Sequence, residues 1–91
     1  MLNLQFEPGE VRRIEYKAQS NKPDETIVIA WAKWELKDPK TEIVIDFGKS
    51  EIDGQTIISL VPLMNVGKYI FELTVKIAPE IIKERLDIRV V

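Results

Sequence analysis

Apolar and polar residues alternate along most of this chain with a period of two. That spacing turns one side chain toward a core and the next toward water, as in a β-strand. Leu2, Leu4 and Phe6 alternate ahead of a turn at Glu7-Pro8-Gly9-Glu10. Ile14, Tyr16 and Ala18 alternate with Arg13, Glu15 and Lys17, the pattern of a half-buried strand, and Ser20-Asn21-Lys22-Pro23-Asp24 supplies a polar loop. From Thr26 to Leu36 both parities are apolar: Val28, Ala30, Ala32, Trp34 and Leu36 on one, Ile27, Ile29 and Trp31 on the other. A strand apolar on both faces is usually central, and Asp38-Pro39-Lys40 ends it, because proline cannot donate to a ladder.

Ile43, Ile45 and Phe47 mark the next strand, and Gly48-Lys49-Ser50 and Asp53-Gly54 are turn signals beyond it. Thr56 to Val61 is β-branched and stops at Pro62, and Asn65-Val66-Gly67 turns again. The cleanest alternation is Tyr69, Phe71, Leu73, Val75 and Ile77 against Lys68, Ile70, Glu72, Thr74 and Lys76. Pro79 to Arg85 fits either the start of a short helix or a hairpin loop. The loop is favoured, because the period of two resumes at Leu86, Ile88 and Val90. About seven strands predict an all-β, immunoglobulin-like β-sandwich. At 91 residues the chain fits a single domain over residues 1–91. Shared parity assigns Ile14, Tyr16, Trp34, Tyr69, Phe71 and Leu73 to its core. Tyr69, close behind Gly67, is expected to bond its hydroxyl to backbone at a sheet corner.

The composition limits the chemistry. Histidine and cysteine are both absent. The commonest general base is therefore missing, as are the usual zinc donors, any thiolate nucleophile and any disulfide. Ser20, Ser50 and Ser59 have no histidine to activate them, and Lys49-Ser50, as neighbours on an extended chain, point to opposite faces. Asp24-Glu25 and Glu51/Asp53 fall short of the six to eight oxygens of a calcium site and read as solvated acids. No catalytic residue, no metal ligand and no cofactor site is expected. Thirteen basic against fifteen acidic residues give a net charge of −2, which argues against nucleic acid, and Arg12-Arg13 is an isolated basic pair. No apolar stretch approaches a membrane span and no signal peptide is visible at the N-terminus. Ile27, Ile29 and Trp31 form the candidate contact surface, since they would make an apolar patch if the chain leaves them uncovered. The terminal strand from Arg85 to Val91 is a second candidate, as an edge with which another chain could pair, though its alternating charges blunt it.

Several of these segments together resemble a family. They are Phe6-Glu7-Pro8-Gly9-Glu10, Thr26-Ile27-Val28, Ala32-Lys33-Trp34, Gly67-Lys68-Tyr69 and Glu84-Arg85-Leu86-Asp87-Ile88-Arg89-Val90. In this order they resemble the small immunoglobulin-like structural proteins of tailed phages and prophages, the fibre or tail-associated proteins. That resemblance implies a non-enzymatic virion or accessory module, located in the virion or the host cytoplasm. Its partner would be another virion protein or a second copy of the chain, or else a cell-surface glycan, with no nucleic acid and no membrane involved. Two alternatives stand beside it: a carbohydrate-binding or adhesion module that stacks sugar on Trp31, and a non-catalytic accessory domain of a larger protein.

Overall fold

The structure, a computed structural model, describes residues 3–18, 27–63, 65–77 and 79–91, with backbone alone for 3–6. Eight strands succeed one another: β1 (Asn3–Phe6), β2 (Glu10–Lys17), β3 (Trp31–Lys37), β4 (Val44–Lys49), β5 (Glu51–Asp53), β6 (Thr56–Leu63), β7 (Gly67–Ile77) and β8 (Glu80–Val90). They form a five-stranded sheet, β1-β8-β7-β3-β4, packed on a three-stranded sheet, β2-β6-β5. The architecture is the all-β, immunoglobulin-like sandwich that the period of two predicts. The described residues contain no helix.

The core forms where the inward parities of the two sheets meet. Ala32, Trp34 and Leu36 of β3 face Val75, Leu73 and Phe71 of β7 in register, and Ile57, Val61 and Leu63 of β6 close over them from the other sheet. Trp34 and Phe71 stack with ring centroids 6.3 Å apart. Of the predicted core, Trp34, Phe71 and Leu73 are fully buried, and Ile14, Tyr16 and Tyr69 pack partly buried against its margin. The Tyr69 hydroxyl donates to the Asn65 carbonyl at 2.9 Å, holding the turn that opens β7 as expected. Ser50 lies where the chain crosses from β4 to β5. Its N–H donates to the Ala32 carbonyl at 3.0 Å, and its Oγ lies 2.8 Å from the Oγ of buried Ser59. That hydroxyl pair ties one sheet to the other.

Four details differ from the sequence reading. The long two-faced segment enters the sheet only at Trp31, and among the described residues just before it the Ala30 N–H reaches the sheet, donating to the Lys76 carbonyl at 2.8 Å. β6 continues through Pro62 to Leu63, because β5 covers only its first residues and leaves Pro62 a single neighbour, Val11. The segment 51–53, read as lying between two turns, is a short eighth strand. The period resumes at Glu80, so β8 is longer than expected, and β1 covers its end from Asp87 to Val90 in parallel. The stretch Ser20 to Thr26, with Asp24-Glu25, lies outside the described residues.

The strand covered on both faces is β7. Phe71, Leu73 and Val75 enter the core, while Glu72 and Thr74, on the outer face, are also buried. Glu72 is 1% exposed beneath the long side chains of its neighbours. Arg85 Nε donates to its Oε2 at 2.7 Å, Lys37 Nζ donates to Oε1 at 3.3 Å, and Lys83 Nζ stands 3.7 Å away. Arg85 also reaches Glu42 at 2.9 Å, anchoring the β3–β4 turn to β8.

Candidate functional site

Of the candidate contact residues Ile27, Ile29 and Trp31, the structure leaves one open. Ile29 packs against the core and Ile27 is half-buried, whereas Trp31 is 41% exposed on the outer face of the five-stranded sheet. The three do not form one patch, because the parity that joins them holds only within a strand and β3 begins at Trp31.

Trp31 instead belongs to a surface along the β3–β4 margin. Register places Lys49 opposite Lys33 and Phe47 opposite Glu35. On the other side of β3, Lys76 lies opposite Trp31, Thr74 opposite Lys33 and Glu72 opposite Glu35. Phe47, at 74% exposed, is the most open large apolar side chain in the five-stranded sheet's edge strand β4. Two hollows flank the Lys33/Lys49 pair. One, of about 510 Å³, is lined by Trp34, Glu35, Phe47 and Gly48 with both lysines. The other, of about 350 Å³, is lined by Ala30, Trp31, Ala32, Ser50 and Ile52 with the same lysines. At Gly48, on the wall of the first hollow, the backbone passes so close to Trp34 that an added Cβ would stand 2.8 Å from Nε1.

The electrostatics of this margin are one-sided. Lys33 Nζ lies 5.9 Å from the Trp31 ring centroid, within cation–π range. Neither Lys33 nor Lys49 forms an ion pair among the described residues, while the nearby Lys37 and Arg85 are engaged with Glu72. Burial alone would raise the Glu72 pKa. The hydrogen bonds from Arg85 and Lys37 outweigh that and hold it below the ordinary carboxylate range.

The remaining candidates are placed as solvated or structural groups. Glu51 and Asp53 are exposed on β5, and among the described residues no three acids, histidines or cysteines gather to hold a metal. Ser50 turns its hydroxyl to Ser59 while Lys49 faces out, so they make no dyad. Arg12 pairs with Glu10 at 3.2 Å and Arg13 with Glu15 at 2.7 Å. The sequence reading missed Phe47, Lys33 and Lys49. The opposition of the two lysines exists only through the β3–β4 register, which a bulge between Leu36 and Lys37 shifts.

No family model matches the chain. No curated protein matches it either. Among solved structures it is similar to CopC from Methylosinus trichosporium OB3b, with a TM-score of 0.67 over 99% of this chain and 84% of that one, at 12% sequence identity. A likeness at that identity carries the β-sandwich fold and nothing finer. It overturns the resemblance to phage and prophage structural proteins, whose segments are short turn and strand motifs common to sandwiches in general. The virion module falls with it, and the likeness lends no support to the carbohydrate-binding, adhesion or accessory-domain alternatives. The partners inferred from that family, a virion protein, a second copy or a glycan, lose their basis. So does the placement in a virion or host cytoplasm.

Proposed function

We propose that this chain is a non-catalytic binding module whose contact surface is the β3–β4 margin of the five-stranded sheet. The observation that carries this reading is the pair of open aromatic side chains, Trp31 and Phe47, at either end of a grooved surface. Exposed aromatics beside concave apolar surface are the usual anchors of a contact, because they bury much area at little cost in side-chain entropy. Trp31 is retained from the sequence reading as the principal contact residue, with Phe47 in the place of Ile27 and Ile29.

The chemistry of the chain supports a binding role over catalysis. It has no histidine or cysteine, and its one lysine–serine neighbour pair points to opposite sides. A metal-handling role, which a likeness to CopC invites, does not fit the donor set. With imidazole and thiolate absent, the soft donors of the sequence are Met1 and Met64.

A random-peptide library displayed on yeast and panned on the purified protein tests the proposal. Enriched clones are expected to lose at least tenfold in affinity to Trp31→Ser and to Phe47→Ser. They should bind Leu60→Ser, altered at an exposed apolar residue of the opposite sheet, as they bind wild type. A library that enriches nothing, or clones that depend on Leu60 instead, would overturn it.

A further inference from the structure

The charge of the groove identifies its ligand class, given that the groove is the contact surface. Lys33 and Lys49 stand directly opposite each other on neighbouring strands, and like charges in that position destabilise a sheet. In the same row Thr74 separates Lys33 from Lys83, and Lys76 lies one row away beside Trp31. Of these, Lys33 and Lys49 line both hollows and Lys83 is already engaged with Glu72; against the Lys33/Lys49 pair the groove sets one acid not already engaged, Glu35. An arriving carboxylate would therefore relieve a repulsion that the free protein carries, besides making new charge-assisted hydrogen bonds.

The spacing of the groove matches an extended polypeptide. Outer-face positions on β3 repeat every second residue, so Trp31, Lys33 and Glu35 are separated by about 6.8 Å in turn. Any extended chain lying alongside repeats its own side chains at the same interval. We propose that the groove binds an acidic stretch of extended polypeptide. A Glu or Asp is received between Lys33 and Lys49, with an apolar side chain two residues before it and another two residues after, one against Trp31 and one against Phe47. Glu35, opposite Phe47, repels a second acid there and so selects an apolar residue. The peptide lies over the side chains and does not extend the sheet at Phe47, because the outward N–H there already donates to Asp46 Oδ1 at 2.8 Å. A nucleic acid fits less well: the chain carries a net charge of −2, and the lysines form a short cluster, not a track along a phosphate backbone.

The test is a calorimetric titration with the capped peptide Val-Thr-Glu-Thr-Val. Its comparisons are Val-Thr-Lys-Thr-Val, Thr-Val-Glu-Val-Thr, which moves the apolar residues to the wrong face, and a thymidine dodecanucleotide. Wild type should bind the first at least tenfold more tightly than the other three, and less tightly as salt rises. Lys49→Glu replaces the like-charge pair with an opposite one. That variant should melt no lower than wild type, lose at least tenfold for the glutamate peptide and gain affinity for the lysine peptide. Equal binding of the glutamate peptide by Lys49→Glu would overturn the proposal, as would tighter binding of the oligonucleotide or equal binding of the wrong-face peptide. Library clones that need Trp31 but carry no acid would leave the contact surface standing and remove this ligand class.

Discussion

At Gly48 the backbone passes so close to Trp34 that an added Cβ would lie 2.8 Å from Nε1 and 2.9 Å from Cε2 and Cζ2. The indole is rigid and 4% exposed, so it cannot yield as a flexible side-chain end would. Gly48→Ala is expected to cost about 1–3 kcal/mol, the range for overpacking a filled site. An unchanged urea midpoint would show the indole free to move. Phe71, stacked on that same indole and 2% exposed, defines the opposite limit. Its truncation to Ala should cost about 3–5 kcal/mol, the lost transfer energy plus the cavity left behind. A Phe71→Ala protein melting with wild type would contradict the core assignment. Tyr69→Phe removes a single hydrogen bond, from the hydroxyl to the Asn65 carbonyl, and should cost only about 0.5–1.5 kcal/mol.

At the scale of elements, β7 is held from both sides, and its outer side depends on one carboxylate. Arg85 from β8 and Lys37 from β3 both donate to Glu72, so this network ties three adjacent strands together. Because the native pKa of Glu72 is lowered, the stabilisation is complete above the unfolded glutamate value of about 4.3 and is lost as pH falls through the depressed native value. Glu72→Gln is expected to lower stability at neutral pH and to flatten the acid limb of a stability–pH curve. It should not abolish that limb, since backbone hydrogen bonds also lower the pKa of Asp38 and Glu10. An acid limb identical to wild type would show that Glu72 does not drive it. None of this network can be read from Glu72 itself, which looks like an ordinary solvent-side residue of an alternating strand. Alternation tells which side chains share a face, and so it places Trp34, Phe71 and Leu73 together correctly. It does not tell which strands adjoin, and the burial of Glu72 comes from long side chains on two neighbours. The same limit hides the groove. Phe47 reads as one apolar residue of the Ile43-Ile45-Phe47 series, and only its place on an edge strand leaves it open. Trp31 is misgrouped with Ile29 for a related reason, because the period of two is carried back past the point where the strand begins.

At the scale of the molecule, the first and last strands lie side by side. β1 is the outermost strand of the five-stranded sheet and pairs in parallel with β8, Asn3 to Phe6 against Asp87 to Val90. This pairing joins the two ends of the described chain, so ordering the first strand depends on the last being in place. It also covers a length of β8 whose inward residues Ile88 and Val90 are each 1% exposed. A chain beginning at Glu7 would keep the other four strands of that sheet and the whole three-stranded sheet, yet leave Asp87 to Val90 paired only with β7, their other edge bare. The ladder contributed by β1 is then lost, and each kcal/mol lost in a domain of this size lowers the melting temperature by about 4–8 °C. A new edge also offers free N–H and C=O groups to a second molecule, the hazard that natural sheets cover or charge. Asp87 and Arg89 stand on the solvent side of that edge, charges of the kind that blunt an edge and keep association weak. The truncated protein is therefore expected to melt several degrees below the full chain and to sediment with a concentration-dependent larger species. Identical melting and strictly monomeric sedimentation would mean that β1 contributes neither stability nor edge protection.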